Sequence, residues 1–514
     1  MEVSDNSING RRVASNTIML YLRMLLVMVV SLYTVRVVLN VLGEEDYGIY
    51  NVVGGIVLMF SFLSRTLASA SQRYFAFEIG RKDYLKLSKT FDITLTLYVL
   101  FVLIIIVFAE TIGLWFVNNK MTLPVERIKA VNVIYQFSIV SFCLSILATP
   151  YQAIIIAYEK MNIYAFVGVA EALLSLCFAI SLSYASCDSL ILYGALVMCG
   201  SFITNGIYFV YSIRNYPESR YSRFWNSILA KEIISYSGWN MYGAVANVIR
   251  SHGINILINV FFNPVINAAR GLAYQVNNAV SSFASNFYTA VRPQLTKSYA
   301  EGNMQGVNRL VDGSSKFSYY LILIIAAPLM VFAEQVLSIW LVDVPQYTSL
   351  FMNLTIIVAM IDAISNPLMT LVQATGKVKG YQLIIGSLLL LNLPISWILL
   401  KNGFSAEYTM YVAISLSLLS LYARLLVLGR IISFKIISFI KNTLFRMIIS
   451  TVACYGTALL IKHLVFNQLP NTFLLLCSVI IIVFVNSIIL LFLGFNMEER
   501  TWIWHLFFSY FKRK

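Results

Sequence analysis

From Ser15 to Leu42 the chain reads SNTIMLYLRMLLVMVVSLYTVRVVLNVL, an apolar run interrupted by Arg23 and Arg36. A membrane-spanning helix needs about 20 apolar residues at a rise of about 1.5 Å each. A helix that enters the bilayer near Arg12 carries Arg23 roughly 16 Å deep, the middle of a hydrocarbon layer about 30 Å thick. An arginine facing lipid there costs from about 3 to more than 10 kcal/mol, so any fold must give it a partner or a wet cavity. Arg36 lies near the far interface, where its side chain can snorkel to water.

The composition extends this reading to the whole chain. Of 514 residues, 59% are hydrophobic and 12% charged, too few polar groups to cover a soluble domain. Apolar runs of spanning length recur along the chain and predict an all-α, polytopic membrane protein of about fourteen transmembrane helices. Lys+Arg outnumber Asp+Glu by 37 to 23, but no soluble module offers a basic face to nucleic acid. The excess follows the membrane instead. Basic residues such as Arg81, Lys82, Lys86, Lys89, Lys160 and Arg220 fall in loops on the N-terminal side, and Arg424 is grouped with them. The opposite side has only Lys120, Arg127, Lys129, Lys401 and Lys462 and opens on the acidic loop GEEDYG. The positive-inside rule places both termini in the cytoplasm. No cleavable signal peptide is expected, because the first apolar run is too long for one. The cysteines are scattered without CxxC spacing, so neither a metal site nor a cofactor is expected.

The chain also repeats itself. PYQAIIIAYEKMNIY from Pro150 and PLMTLVQATGKVKGY from Pro367 share Pro, Ala, Lys and Tyr at one offset, and QRYFAFEIG (Gln72 to Gly80) matches QLTKSYAEG (Gln294 to Gly302) at both ends. Six helices separate the members of each pair, which predicts parallel repeats around a central cavity. The expected organisation is an N-terminal lobe over 1–213, a cytoplasmic interfacial linker over 214–232, a C-terminal lobe over 233–431, two added helices over 432–493 and a cytoplasmic amphipathic tail over 494–514.

Four arginines lie within spans: Arg23, Arg65, Arg250 and Arg270. They come from the first two helices of each expected lobe and form a ladder of depths, making them candidate substrate-binding cations. The bland alternative for each is snorkelling or a structural pair. Glu171 and Asp362 read as buried and are candidates for coupling to a proton or sodium ion, or for pairing with the arginines. His252 is a further candidate proton carrier, with a hydrogen-bonded helix residue as its plainer reading. Asn240, Asn247, Asn255, Asn267, Gln275 and Asn278 crowd the seventh and eighth helices, which should therefore line a hydrated interior. Such a wall suits sugar hydroxyls or interhelical packing.

The stretch RVVLNVLGEEDYGIYNVVGG, with SNT before the first helix and the basic loop after Gln72-Arg73, resembles the opening of Wzx-type polysaccharide repeat-unit (O-antigen) flippases. These belong to the multidrug/oligosaccharidyl-lipid/polysaccharide (MOP) superfamily. The pattern is LG-x-x-DYG-x-Y, at Leu42, Gly43, Asp46, Tyr47, Gly48 and Tyr50. The resemblance implies alternating-access translocation of an undecaprenyl-pyrophosphate-linked oligosaccharide across the bacterial inner membrane for O-antigen or capsule synthesis. Expected partners are that lipid-linked oligosaccharide, membrane lipids and the polymerase machinery. The driving force would be an H+ or Na+ gradient or the membrane potential. A multidrug/cation antiporter of the same superfamily is the alternative. An enzyme is disfavoured, because the external loops are too short to hold a catalytic pocket.

Overall fold

The computed structural model describes residues 2–58, 61–120, 125–184, 188–262, 264–341, 344–432, 434–466, 472–497 and 499–501. Among them the only regular structure is helical, and the chain divides into two compact units. One is Ser15–Met241; the other is Tyr242–Lys514 together with Met1–Ala14.

The N-terminal unit holds α1 (Glu2–Leu58) from Ser15 onward, α2 (Ser61–Gly80), α3 (Tyr84–Phe108), α4 (Leu114–Lys120), α5 (Ile128–Ala157), α6 (Met161–Leu182) and α7 (Ser189–Asn215). α8 (Ser227–Phe261) carries the division. The C-terminal unit continues with α9 (Pro264–Ala300), α10 (Met304–Val331), α11 (Ala333–Trp340), α12 (Thr348–Thr375), α13 (Val378–Leu390) and α14 (Asn392–Lys401). It closes with α15 (Tyr408–Ile431), α16 (Ile436–Phe439), α17 (Phe445–Ile461) and α18 (Thr472–Ile489). Eleven helices among the described residues are long and apolar enough to cross a membrane. The long helices α2, α8 and α9 fall outside that set because they are too polar, and they are the helices that carry Arg65, Arg250 and Arg270.

Outward-facing Leu418, Val452, Leu460, Ile480 and Phe484 are each more than half exposed, as lipid-facing residues are. Gln275 and Asn278 are exposed too, and such groups need water or a partner. Inside the C-terminal unit α9 packs along α12, with Ala269, Ala273 and Ala284 of one and Ala359 and Ala363 of the other buried. Small residues let helix backbones approach closely where no hydrophobic drive favours association over lipid.

Three elements differ from the sequence reading. The acidic GEEDYG stretch is not an open loop: α1 is interrupted only at Gly43, with φ 75° and ψ 173°, a backbone that glycine alone adopts without strain. Asp46 is buried and accepts from Arg127 Nη2 at 2.6 Å, while Arg127 Nη1 reaches Asp188 at 2.7 Å. Tyr50 packs on Tyr193 with ring centres 4.7 Å apart. These two contacts make the described part of the LG-x-x-DYG-x-Y motif a clamp within the unit. Asp188 also caps α7, accepting from Leu190 and Ile191 N–H.

The segment expected as a linker, 214–232, is strapped to the N-terminal unit, and the division falls at Met241, inside α8. Asp92, fully buried, accepts from the backbone of Ser222 and Phe224 at 3.1 Å and from the Ser222 hydroxyl. Tyr158 and Tyr216 stack at 4.4 Å. Burial raises both phenols above their ordinary value, and Glu218 adds to the shift; both therefore stay protonated.

The repeat is visible in matching turns. Lys160 and Lys377 are the N-caps of α6 and α13, with φ/ψ of −83°/61° and −84°/60°; the residues before them, Glu159 and Gly376, are left-handed. Asp83 and Asn303 cap α3 and α10 and accept from the third residue onward, after left-handed Lys82 and Gly302. This second pair corrects the register read from QRYFAFEIG and QLTKSYAEG: Gly80 corresponds to Ala300, two residues away from the expected match to Gly302. Turn geometry follows capping chemistry, whereas the end-to-end sequence match does not constrain it.

Candidate functional site

In the N-terminal unit the site is built on α1, α6 and α7. Arg23 lies over the face of Tyr164, its Cζ 4.5 Å from the ring centre. Tyr164 in turn packs against buried Tyr208, ring centres 6.4 Å apart. A Cβ at Gly168 would collide with the Arg23 guanidinium, so the glycine admits the planar group flat against α6. Glu171 is within electrostatic reach of Arg23. The Arg23 Nε–H is buried with no hydrogen-bond partner among the described residues. The sequence reads Glu171 as buried, but it is exposed. Hydropathy in a membrane chain reports the membrane and does not separate lipid- or water-facing positions from packed ones.

Gly168→Val is expected to displace Arg23 and reduce transport at least about tenfold, the loss of one charge-assisted contact, while membrane insertion stays normal. Gly206→Val is the control, since nothing lies within 4 Å of its Cβ position. Equal transport in the two variants would remove Arg23 from the site.

In the C-terminal unit Arg250 of α8 donates from Nη2 to Ser417 Oγ of α15 at 2.8 Å, and its Nη1 stands 3.9 Å from Asp362 Oδ2 of α12. The Arg250 side chain is 10% exposed and that of Asp362 45%, so Asp362, like Glu171, is less buried than its apolar neighbours suggest. Arg270 is 1% exposed. It donates to Asn255 of α8 and, at 3.1 Å, to the Tyr274 hydroxyl, and it covers the Tyr274 ring at 4.5 Å. That geometry ties α8 to α9. Arg65 lies in α2 and His252 in α8, and both side chains fall outside the described residues. Since α2 runs on to Gly80, Arg65 is about 22 Å along the axis from its end.

Lys316 and Arg424 are among the buried cations that the sequence does not single out. Lys316, 1% exposed, donates to both Glu499 oxygens at 2.8 and 3.1 Å, fastening α10 to the segment after α18. Arg424, grouped with loop residues above, is 8% exposed inside α15 and donates to the Ser365 carbonyl at 3.3 Å. Its setting in the apolar run LLSLYARLLVLG is the signal that marks it as a span residue. Among the described residues no group of three or more His, Cys, Asp or Glu could hold a metal ion.

An all-helical bundle of membrane-length helices with guanidinium groups held inside its spans is the frame of a multi-pass membrane transporter. A family model described as polysaccharide biosynthesis protein matches residues 12–299, more than half of the chain, and the chain belongs to that family, within the MOP superfamily. A second model, MatE, matches residues 264–398. No curated protein sequence matches the chain. Among solved structures, a MATE in the bent conformation is 14% identical with TM-score 0.71, covering 83% of this chain and 98% of that one. An outward-facing multidrug resistance MATE family transporter of the MOP superfamily is 14% identical with TM-score 0.69 and the same coverages. A Vibrio cholerae MATE transporter variant is 14% identical with TM-score 0.70, again covering 83% and 98%. At these identities the likeness establishes the fold.

Proposed function

We propose that this transporter is a flippase that moves an undecaprenyl-pyrophosphate-linked oligosaccharide from the cytoplasmic to the outer face of the bacterial inner membrane by alternating access, for O-antigen or capsule synthesis. The observation that carries the reading is Arg23, a guanidinium within the first apolar span, displayed on Tyr164 and with an Nε–H that has no hydrogen-bond partner among the described residues. A pyrophosphate does not cross about 30 Å of hydrocarbon unaided, and a guanidinium fork matches phosphate oxygens bidentately. Arg250 offers a second such group, already sharing one N–H with Ser417. Family membership over residues 12–299 supports the cargo class, and exposed Gln275 and Asn278 suit sugar hydroxyls. Glu171, Asp362 or His252 would couple an H+ or Na+ gradient, and the membrane potential would act on the moving anion. The chain itself performs no bond chemistry in this reading; the polymerase machinery receives its product.

A multidrug/cation antiporter is the second reading, favoured by the MATE fold and by exposed carboxylates at Glu171 and Asp362. Depletion of the protein separates the two. Lipid-linked oligosaccharide should accumulate inside the cell and surface polymer should disappear; normal surface polymer with new sensitivity to cationic dyes would select the antiporter. Orientation is tested by single cysteines. One at Glu126 should react with an impermeant thiol reagent from outside and one at Lys82 should not; labelling of the Lys82 position in intact cells would reverse the direction of transport.

A further inference from the structure

The matched turns that pair Lys160 with Lys377 also pair Tyr164 of α6 with Tyr381 of α13, each in the first turn after its cap. Tyr164 carries Arg23, and Tyr381 carries Arg424, whose Cζ is 6.0 Å from the ring centre. The two arginines come from different helices of their units, yet each keeps a buried Nε–H without a hydrogen-bond partner among the described residues. Among the several buried groups of the C-terminal unit that share that condition, two lie on the helices that carry this contact: the Tyr381 hydroxyl, in a residue 1% exposed, and Ser420 Oγ, in a residue 2% exposed. Ser420 sits one turn before Arg424 on the same side of α15. Arg424 donates to a single carbonyl, that of Ser365, and no carboxylate lies within ion-pair distance of it among the described residues.

A buried guanidinium without a counter-charge is costly, and buried donors without acceptors add to that cost. A guanidinium N–H and two hydroxyls on adjacent helices can all donate, and one anionic acceptor would satisfy charge and donors together. The start of α13, within a turn of Tyr381, adds the positive end of a helix dipole. We propose that Arg424, Tyr381 and Ser420 form an oxyanion site in the C-terminal unit that takes one phosphoryl group, the counterpart of Arg23 on Tyr164. The choice of phosphate among oxyanions rests on the export reading; the site itself stands on separate residues.

The test uses the full chain in nanodiscs, in chloride-free buffer and in an Arg23→Gln background, with inorganic pyrophosphate and farnesyl pyrophosphate titrated by calorimetry. Arg424→Gln should weaken binding at least about tenfold, Tyr381→Phe should weaken it several-fold, and Arg424→Lys should recover part of the loss. Tyr381→Phe keeps the ring under the guanidinium and decides the matter if Arg424→Gln does not insert. Dependence on Arg424 for both probes assigns the site to free phosphate as well as lipid headgroups; dependence for farnesyl pyrophosphate alone assigns it to the headgroup. Unchanged binding of both probes in both variants overturns the site. Because the readout is binding with Arg23 already removed, that outcome leaves export through Arg23 standing, and a failure of export would not alter it.

Discussion

Arg23→Ala is expected to lower surface-polysaccharide export by about 100-fold while the protein inserts normally. A bidentate charge-assisted contact to phosphate is worth about 3 kcal/mol in a dry setting, and every 1.4 kcal/mol is tenfold. Alanine removes that contact and also uncovers the Tyr164 face that the guanidinium shields. Lysine should restore only part of the rate, since its ammonium is a point charge and does not lie flat on the ring beside Gly168. Arg250→Ala should cost less, about tenfold, because Ser417 and Asp362 already engage that side chain. Export is read from polymer on intact cells, normalised to the inserted protein. Normal export from stably inserted Arg23→Ala would end the anion-binding account of this residue.

Arg127→Ala is expected to destabilise the N-terminal unit by about 2–4 kcal/mol, because it removes the guanidinium that bridges Asp46, which is 8% exposed, and Asp188. Removing one partner of a buried pair costs more than the pair contributes, since the remaining charge is left in a poorly solvated place. Asp46→Asn should be milder, for the amide still accepts from the guanidinium. Thermal unfolding of the purified protein in detergent measures both. The midpoint should drop by several degrees for Arg127→Ala and less for Asp46→Asn; unchanged midpoints would reduce the Asp46–Arg127–Asp188 cluster to a surface contact.

Much of the architecture was legible because the bilayer writes its thickness into the sequence as runs of about 20 apolar residues. The long polar-rich helices α2, α8 and α9 were legible for the same reason in reverse: their arginines and asparagines stand out against that background. Orientation toward partners was not legible. Asp362 sits among buried apolar residues and Glu171 in an apolar stretch of mixed exposure, so hydropathy makes both look buried. Arg127 and the GEEDYG stretch looked like two features of separate exterior loops, and only tertiary proximity joins Asp46 to a cation 81 positions away. Arg424 was hidden by its nearness to a helix end, and Arg270 gave no sign that Asn255 and Tyr274 enclose it. The Lys160 and Lys377 turns were found through shared Pro, Lys and Tyr, whereas the Asp83 and Asn303 turns share a capping chemistry between different residues, which identity matching misses.

Translocation in proteoliposomes tests the central claim most directly. The purified chain is reconstituted with a fluorescent undecaprenyl-pyrophosphate-linked oligosaccharide, and the fraction accessible to an enzyme outside the vesicles is followed in time. Wild-type protein should expose the inner-leaflet pool well beyond the protein-free rate, and Arg23→Ala should approach that rate. Lipid-linked oligosaccharide that moves no faster with wild-type protein than without it, in vesicles where the same protein exchanges a cationic dye for protons, would contradict the account.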